Sequence, residues 1–239
     1  MKQTRVTVIV LSGGQGTRLG SDIPKQYIKV GDRAIITYSL EVFLNHPNIE
    51  SIVIVAADEW HQFILDEMKD SVTLNKKFIG FANPGDNRQL SVWNALELIK
   101  HCSGDNENDT SCNDRLVMIH DAARPNISAD LVSRLVDSYM GHDGVMPAEM
   151  MKNTIYLSED GVKITGLLDR SKVFAGHTPE LFDFAKYYQA NQELLPDRIK
   201  AINGSSEPAL MAGMDIVMVD NDVDNYKITT REDLERFIR

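Results

Sequence analysis

Cysteine is scarce in this chain of 239 residues, which carries two, Cys102 and Cys112. They flank a polar loop without CxxC spacing, and the neighbouring His101 completes no metal-ligand pattern. Nothing in that spacing points to a structural zinc site; two reduced, structurally incidental thiols are expected, with a disulfide closing the loop the disfavoured alternative in a cytosolic protein. Long hydrophobic runs are missing too: no apolar stretch approaches the roughly 20 residues that a membrane-crossing helix needs. Met1-Lys2-Gln3-Thr4-Arg5 leads straight into an apolar run, so neither signal peptide nor anchor is expected and the cytoplasm is the expected location. Basic residues are outnumbered, 25 Lys and Arg against 35 Asp and Glu, for a formal charge of −10. The balance argues against a general nucleic-acid surface but leaves room for a local basic pocket that takes one nucleotide. Internal repeats and linkers are lacking as well. With 43% hydrophobic residues the chain can bury a large core, and one domain over 1–239 is expected.

What is present is concentrated first between Val6 and Tyr27. Val6-Thr7-Val8-Ile9-Val10-Leu11 is the β-branched apolar run of a strand buried on both faces. It enters Ser12-Gly13-Gly14-Gln15-Gly16-Thr17-Arg18, a glycine-rich loop with one guanidinium, and Pro24 then introduces Lys25. Glycines let backbone N–H groups approach an anion, and an arginine and a lysine supply the charge a polyphosphate needs. The stretch reads as a cradle for a nucleoside triphosphate. It lacks the spacing of a P-loop, and the third glycine of the dinucleotide fingerprint would fall where Leu19 sits. A turn that merely redirects the chain is the competing reading.

Strands over 49–56 and 78–82, with helices over 37–45 and 60–69, predict right-handed crossovers and a mainly parallel sheet. Asn87 is a candidate N-cap for a helix whose first turns carry Arg88 and Ser91, near the positive end of its dipole. Residues 103–115 have no periodicity and read as an exposed loop. Leu116 to His120 forms a fourth strand with Asp121-Ala122-Ala123-Arg124-Pro125 at its carboxyl end, the edge where open α/β sheets bind ligands. Asp121 is there either a metal-binding carboxylate or a salt-bridged loop residue. Residues 154–157 and 162–165 read as a β-hairpin turning at Asp160-Gly161. A lone hairpin is marginal in water, so a partner subunit is its natural support. A helix is predicted over 181–191, another from about 202 and a strand over 215–219. Lys227 stands alone in an acidic run that includes Asp224, and Thr230 caps a final helix.

Together SGGQGTRLG, PKQY, RQLSVWNAL, HDAARP, LLDR, HTPELF and DNYKITTREDL resemble the cytidylyltransferases that make CDP-activated polyols. The nearest patterns are the 2-C-methyl-D-erythritol 4-phosphate and ribitol-5-phosphate cytidylyltransferases. The resemblance implies an α/β, Rossmann-like, mainly parallel sheet flanked by helices, with a β-hairpin dimerisation arm at about 150–170 and a homodimer. It implies that Arg18, Lys25 and Lys227 form a catalytic charge clamp on CTP. Ser12, Gly13, Gly14 and Gly16 would cradle the nucleotide, with Arg88 and Ser91 beside the cytosine. Asp121 and Asp224 would lie by Mg²⁺, and Arg124, Thr154 and Arg170 would serve the acceptor, the last two across the dimer. Three acceptor-side stretches depart from the methylerythritol pattern: Asn153-Thr154-Ile155-Tyr156 for Asp-Thr-x-Lys, Thr178-Pro179-Glu180 for Thr-Pro-Gln, and Asn203-Gly204-Ser205 for a stretch of Thr-Asp-Glu/Ala type. Such changes alter which polyol fits, because unmatched polar groups discriminate strongly. A ribitol phosphate or other surface-polysaccharide precursor is thus the alternative acceptor. A nucleotide-binding regulator without turnover, or a relative using another NTP, are the alternatives of other kinds.

Overall fold

The first strand, β1 (Arg5–Leu11), lies at the centre of the sheet and is buried along nearly its whole length. The computed structural model describes residues 5–14, 23–71, 73–102 and 115–239. A short hairpin of β2 (Lys29–Val30) and β3 (Arg33–Ala34) turns at Gly31, whose φ of 64° suits glycine. Next come α1 (Ile35–Asn45), β4 (Ile49–Val55), α2 (His61–Glu67), α3 (Leu74–Lys77) and β5 (Phe78–Ala82). They are followed by α4 (Arg88–Cys102), β6 (Arg115–Asp121), α5 (Ala129–Ser138) and β7 (Gly144–Met150). An excursion of β8 (Ile155–Leu157), β9 (Gly166–Leu168) and β10 (Phe174–Gly176) leads to β11 (Glu180–Asp183) and α6 (Phe184–Gln192). The chain ends with α7 (Ser206–Met211), β12 (Ile216–Asp220) and α8 (Arg231–Ile238).

Among the described residues the main sheet has eight strands, ordered β10-β7-β11-β6-β1-β4-β5 with β12 alongside β7. Strands β6, β1, β4 and β5 are mutually parallel. Alternation along β1 sends Val6, Val8 and Val10 into a core with Leu40 and Phe43 of α1 and Leu131 and Leu135 of α5. It sends Ile9 to the opposite face, against Val92 and Leu96 of α4 and Tyr187 of α6. Both faces of the parallel strands are therefore covered, which explains why the opening run is apolar at consecutive positions rather than alternately. Among the described residues no helix is long and apolar enough to cross a membrane.

Register decides where the chain ends of these strands meet. Leu11 pairs with Asp121, and Ala122 N–H donates to Leu11 O at 3.0 Å. Ser12 N–H reaches Val55 O at 2.9 Å and Ala56 N–H reaches Ala82 O at 3.1 Å. The turns after β1, β5 and β6 are thus drawn to one edge of the sheet, where parallel α/β proteins hold ligands.

Two expectations change. The helix expected over 181–191 begins at Phe184, because Glu180–Asp183 is a strand inserted antiparallel between β6 and β7. A short apolar run has no period long enough to separate strand from helix; Asp183, whose side chain accepts from Lys186 N–H, marks the true helix start. The hairpin exists, but its second strand starts at Gly166 rather than 162. Asp160 Oδ1 accepts from the N–H groups of Val162 and Lys163, which withholds those donors from the ladder. The loop expected at 103–115 lies almost wholly outside the described residues, as does Cys112, while Cys102 is exposed.

Candidate active site

The strand-end turns enclose a cleft of about 430 Å³. Gly13 and Gly14 form one wall, Gly85 to Arg88 with Ser91 a second, and Asp121 with Ala123 the floor. Lys25 and Lys227 enter from the sides. A Cβ on Gly13 would stand 2.7 Å from the Pro84 ring, so glycine is what lets the first two walls approach. Asn87 caps α4 as the sequence predicts: its Oδ1 accepts from Leu90 N–H at 2.7 Å, and its Nδ2 donates to Ile199 O at 3.1 Å. Ser91 shapes the same turn, accepting from Gly85 N–H and donating to Asn87 O, each at 3.0 Å.

Asp121 is the electrostatic centre. Its Oδ1 accepts from Arg88 Nε at 3.3 Å and Nη2 at 3.0 Å, and its Oδ2 from Lys227 Nζ at 2.9 Å. Burial alone would raise its pKa, yet the charges of Arg88 and Lys227 outweigh burial and hold it far below the usual carboxylate range. The same carboxylate, acting against the burial of Arg88, raises the guanidinium pKa. Two cations thus converge on one buried anion at the floor of a cleft, a set poised to take up further negative charge.

Lys227 owes its position to Asn225, fully buried, which the sequence did not single out. Asn225 Nδ2 donates to Thr178 O at 2.9 Å and Asn221 Oδ1 at 2.8 Å. Ile228 N–H closes the loop onto Ala123 O at 2.8 Å. Arg124 lies beneath the cleft rather than along it: it is 8% exposed, and its Nη1 contacts Asn225 O at 2.7 Å and His177 Nδ1 at 3.0 Å. Asp224 is exposed and paired with Arg236 of α8 at 3.2 Å. Thr154 and Arg170 are exposed on or beside the hairpin, and Arg170 Nη1 donates to Lys152 O at 3.0 Å. Arg18 and Gly16 fall outside the described residues. Ser12 is buried at the end of β1, its hydroxyl donating to Tyr27.

Two of the departures meet behind Arg88. Glu180 is buried, and the hydroxyls of Ser205 and Ser206 hydrogen-bond its carboxyl. Arg88 Nη1 donates to the same Ser205 hydroxyl. Burial raises the Glu180 pKa against the pull of Arg88. Their meeting is invisible in the sequence, where 25 positions separate Glu180 from Ser205.

The donor set suits Mg²⁺ in one manner only. Among the described residues no group of three or more His, Cys, Asp or Glu is placed to hold a metal. Mg²⁺ commonly binds through one or two carboxylates plus substrate phosphates, and Asp121 can be that carboxylate. The residues fit a metal that arrives with phosphate, not a protein-built cage.

His120, beside Asp121, packs edge-on against Phe43 and contacts Arg124 O through Nε2 at 3.0 Å. Burial pushes its pKa down to about 4. A depressed histidine is neutral in the native state while the unfolded chain protonates near 6.5, so stability falls as pH drops from about 6.5 toward about 4, by on the order of 3 kcal/mol. The Asp121 contribution is present above the ordinary carboxylate pKa and is lost at lower pH still. Urea unfolding at pH 7 and pH 4.5 is expected to show this loss, and His120→Gln to remove most of it. An equal slope in both proteins would assign it elsewhere.

A family model described as 2-C-methyl-D-erythritol 4-phosphate cytidylyltransferase (IspD) matches residues 6–237. The enzyme of that name from Petrotoga mobilis is 31% identical over 230 residues, spanning 96% of this chain and 95% of that protein. A ribitol-5-phosphate cytidylyltransferase from Streptococcus pneumoniae is 29% identical, spanning 95% and 94%. The crystal structure of the Francisella tularensis 2-C-methyl-D-erythritol 4-phosphate cytidylyltransferase superposes with a TM-score of 0.76 at 26% identity, covering 98% of each chain. On the match over almost its whole length, the chain belongs to the 2-C-methyl-D-erythritol 4-phosphate cytidylyltransferase family and is a cytidylyltransferase.

Proposed function

We propose that the chain, acting as one domain, transfers CMP from CTP to the phosphate of a small polyol phosphate, with 2-C-methyl-D-erythritol 4-phosphate the nearest pattern. The observation that carries this reading is Asp121 held between Arg88 and Lys227 on the floor of a cleft bounded by the glycine turn. A phosphate monoester is largely dianionic at neutral pH, so its oxygen attacks the α-phosphorus of CTP without a general base. The new P–O bond forms as the bond to the β-phosphate oxygen breaks and pyrophosphate leaves. The protein supplies position and charge neutralisation.

In this scheme Lys25, Lys227 and Arg18 neutralise the triphosphate, the turn at Ser12 to Gly16 cradles it, and Arg88 and Ser91 border the base. Mg²⁺, when bound, would neutralise phosphate charge beside Asp121. Asp224 joins that site only by leaving Arg236, and Arg124 serves the acceptor from beneath. Exposed Tyr156, Leu157, Leu167 and Leu168 on the hairpin support a homodimer in which the arm is covered, because such a ribbon is marginal alone. Thr154 and Arg170 would then reach the partner's acceptor. The absence of a membrane-crossing helix among the described residues is consistent with a cytoplasmic enzyme.

The departures at Asn153, Glu180 and Asn203-Gly204-Ser205, with the similarity to the S. pneumoniae protein, favour ribitol 5-phosphate as the second acceptor. Pyrophosphate release with each NTP against a panel of polyol phosphates tests both. Release is expected with CTP alone. Turnover with UTP or GTP but not CTP would overturn the reading, and no release with any acceptor would favour a nucleotide-binding regulator.

A further inference from the structure

The glycine turn after β1 is held by a residue to which nothing above gives a role. Gln26 is 3% exposed yet borders the cleft. Its Nε2 donates to Ser12 O at 2.5 Å and to Gly14 O at 2.8 Å, which uses both amide hydrogens. Ser12 O also accepts from Tyr27 Oη at 3.0 Å, and the Tyr27 ring is fixed by stacking on Trp60 at 4.2 Å. The ladder bond from Ser12 N–H to Val55 O is the last that β1 makes on that side. Beyond it the chain has two glycines, whose backbone is the most costly of all to fix.

We propose that Gln26 is a positioning residue for nucleotide binding: its amide clamps the Ser12 and Gly14 carbonyls so that the N–H groups of the same turn are presented to the nucleotide. A trans peptide directs the Gly13 N–H away from the Ser12 carbonyl, hence to the side opposite the Gln26 amide. The tight turn at Lys25–Tyr27, closed by Tyr27 N–H to Pro24 O at 2.9 Å, carries the clamp and Lys25 together. The cradle and its lysine are therefore set by one element. The inference rests on the cleft being the CTP site.

Gln26→Glu replaces a donor with an acceptor-only carboxylate facing two carbonyls, and Gln26→Met removes the donors at similar volume. CTP affinity by calorimetry is expected to fall about tenfold or more in the first and about threefold or more in the second. Acceptor KM at saturating CTP should stay within about twofold of the unmodified enzyme. Tyr27→Phe, which keeps the stacked ring, should weaken CTP by a smaller factor and serves if Gln26→Glu does not fold. A merely structural role predicts lower melting temperatures with unchanged CTP affinity in the folded variants, and that result overturns the proposal. Unmodified protein that binds CTP without turnover would sink the proposed reaction but leave this inference standing. Failure of the unmodified protein to bind CTP at all would overturn both.

Discussion

Lys227→Ala is expected to lose about a hundredfold or more in kcat while the protein stays folded, as when one preorganised charge donor is removed from a transition-state site. Lys227 Nζ lies 2.9 Å from Asp121, and its side chain is about one-third exposed. Removing it does not orphan the buried carboxylate, because Arg88 still donates twice to Oδ1. The Lys227 loop also keeps its Asn225 and Ile228 backbone ties. Stability should fall by roughly 1.5–3 kcal/mol, the range for a hydrogen bond to a charged group. Lys25→Ala, which removes the other lysine lining the cleft, should behave alike. Steady-state kinetics with circular dichroism decide the matter. A loss in kcat with KM little changed means the ammonium acts on charge that develops in the transition state. Near-normal rates in both variants would remove the charge clamp.

The sequence conveyed the central strands because burial on both faces writes an unbroken apolar run, and β1, β4 and β6 carry one. It conveyed the Asn87 cap and the Thr230 capping box because capping is local chemistry. It was silent where distant segments meet. Asp121 could be read as a metal ligand or a salt-bridge partner, and only the fold shows Arg88, 33 positions earlier, and Lys227, 106 later, on its two oxygens. Glu180 reads in the sequence as an acceptor-side residue, and only β11 shows that it meets Ser205 behind Arg88. Gln26 and Asn225 left no signal because the distant groups they hold are backbone carbonyls, of Ser12 and Gly14 for one and of Thr178 for the other, which every sequence has. A buried side-chain amide beside a candidate site lysine, as in Lys25-Gln26 and Asn225-Tyr226-Lys227, is the pattern that points to both.

Mixing two inactive variants tests the shared site directly. Arg170 and Thr154 stand on the arm and do not line the cleft of their own protomer, so a role at the acceptor requires the partner's cleft. Lys227→Ala and Arg170→Ala should each be nearly inactive as homodimers. In a mixed dimer one site carries both lesions and the other carries neither. Random reassembly makes half of the dimers mixed, so about a quarter of the original activity should return. The exposed Tyr156, Leu157, Leu167 and Leu168 make such exchange testable, since deleting the arm should yield monomers by light scattering. If the mixture stays inactive although subunits exchange, each protomer works alone, and Arg170 has lost its place at the acceptor. If Arg170→Ala alone keeps its rate, the acceptor phosphate is held from within the protomer, and buried Arg124 is the guanidinium left among the three acceptor-side residues. Arg124 would then have to exchange its contacts with Asn225 and His177 for the phosphate, and the acceptor KM of His177→Gln would report that exchange.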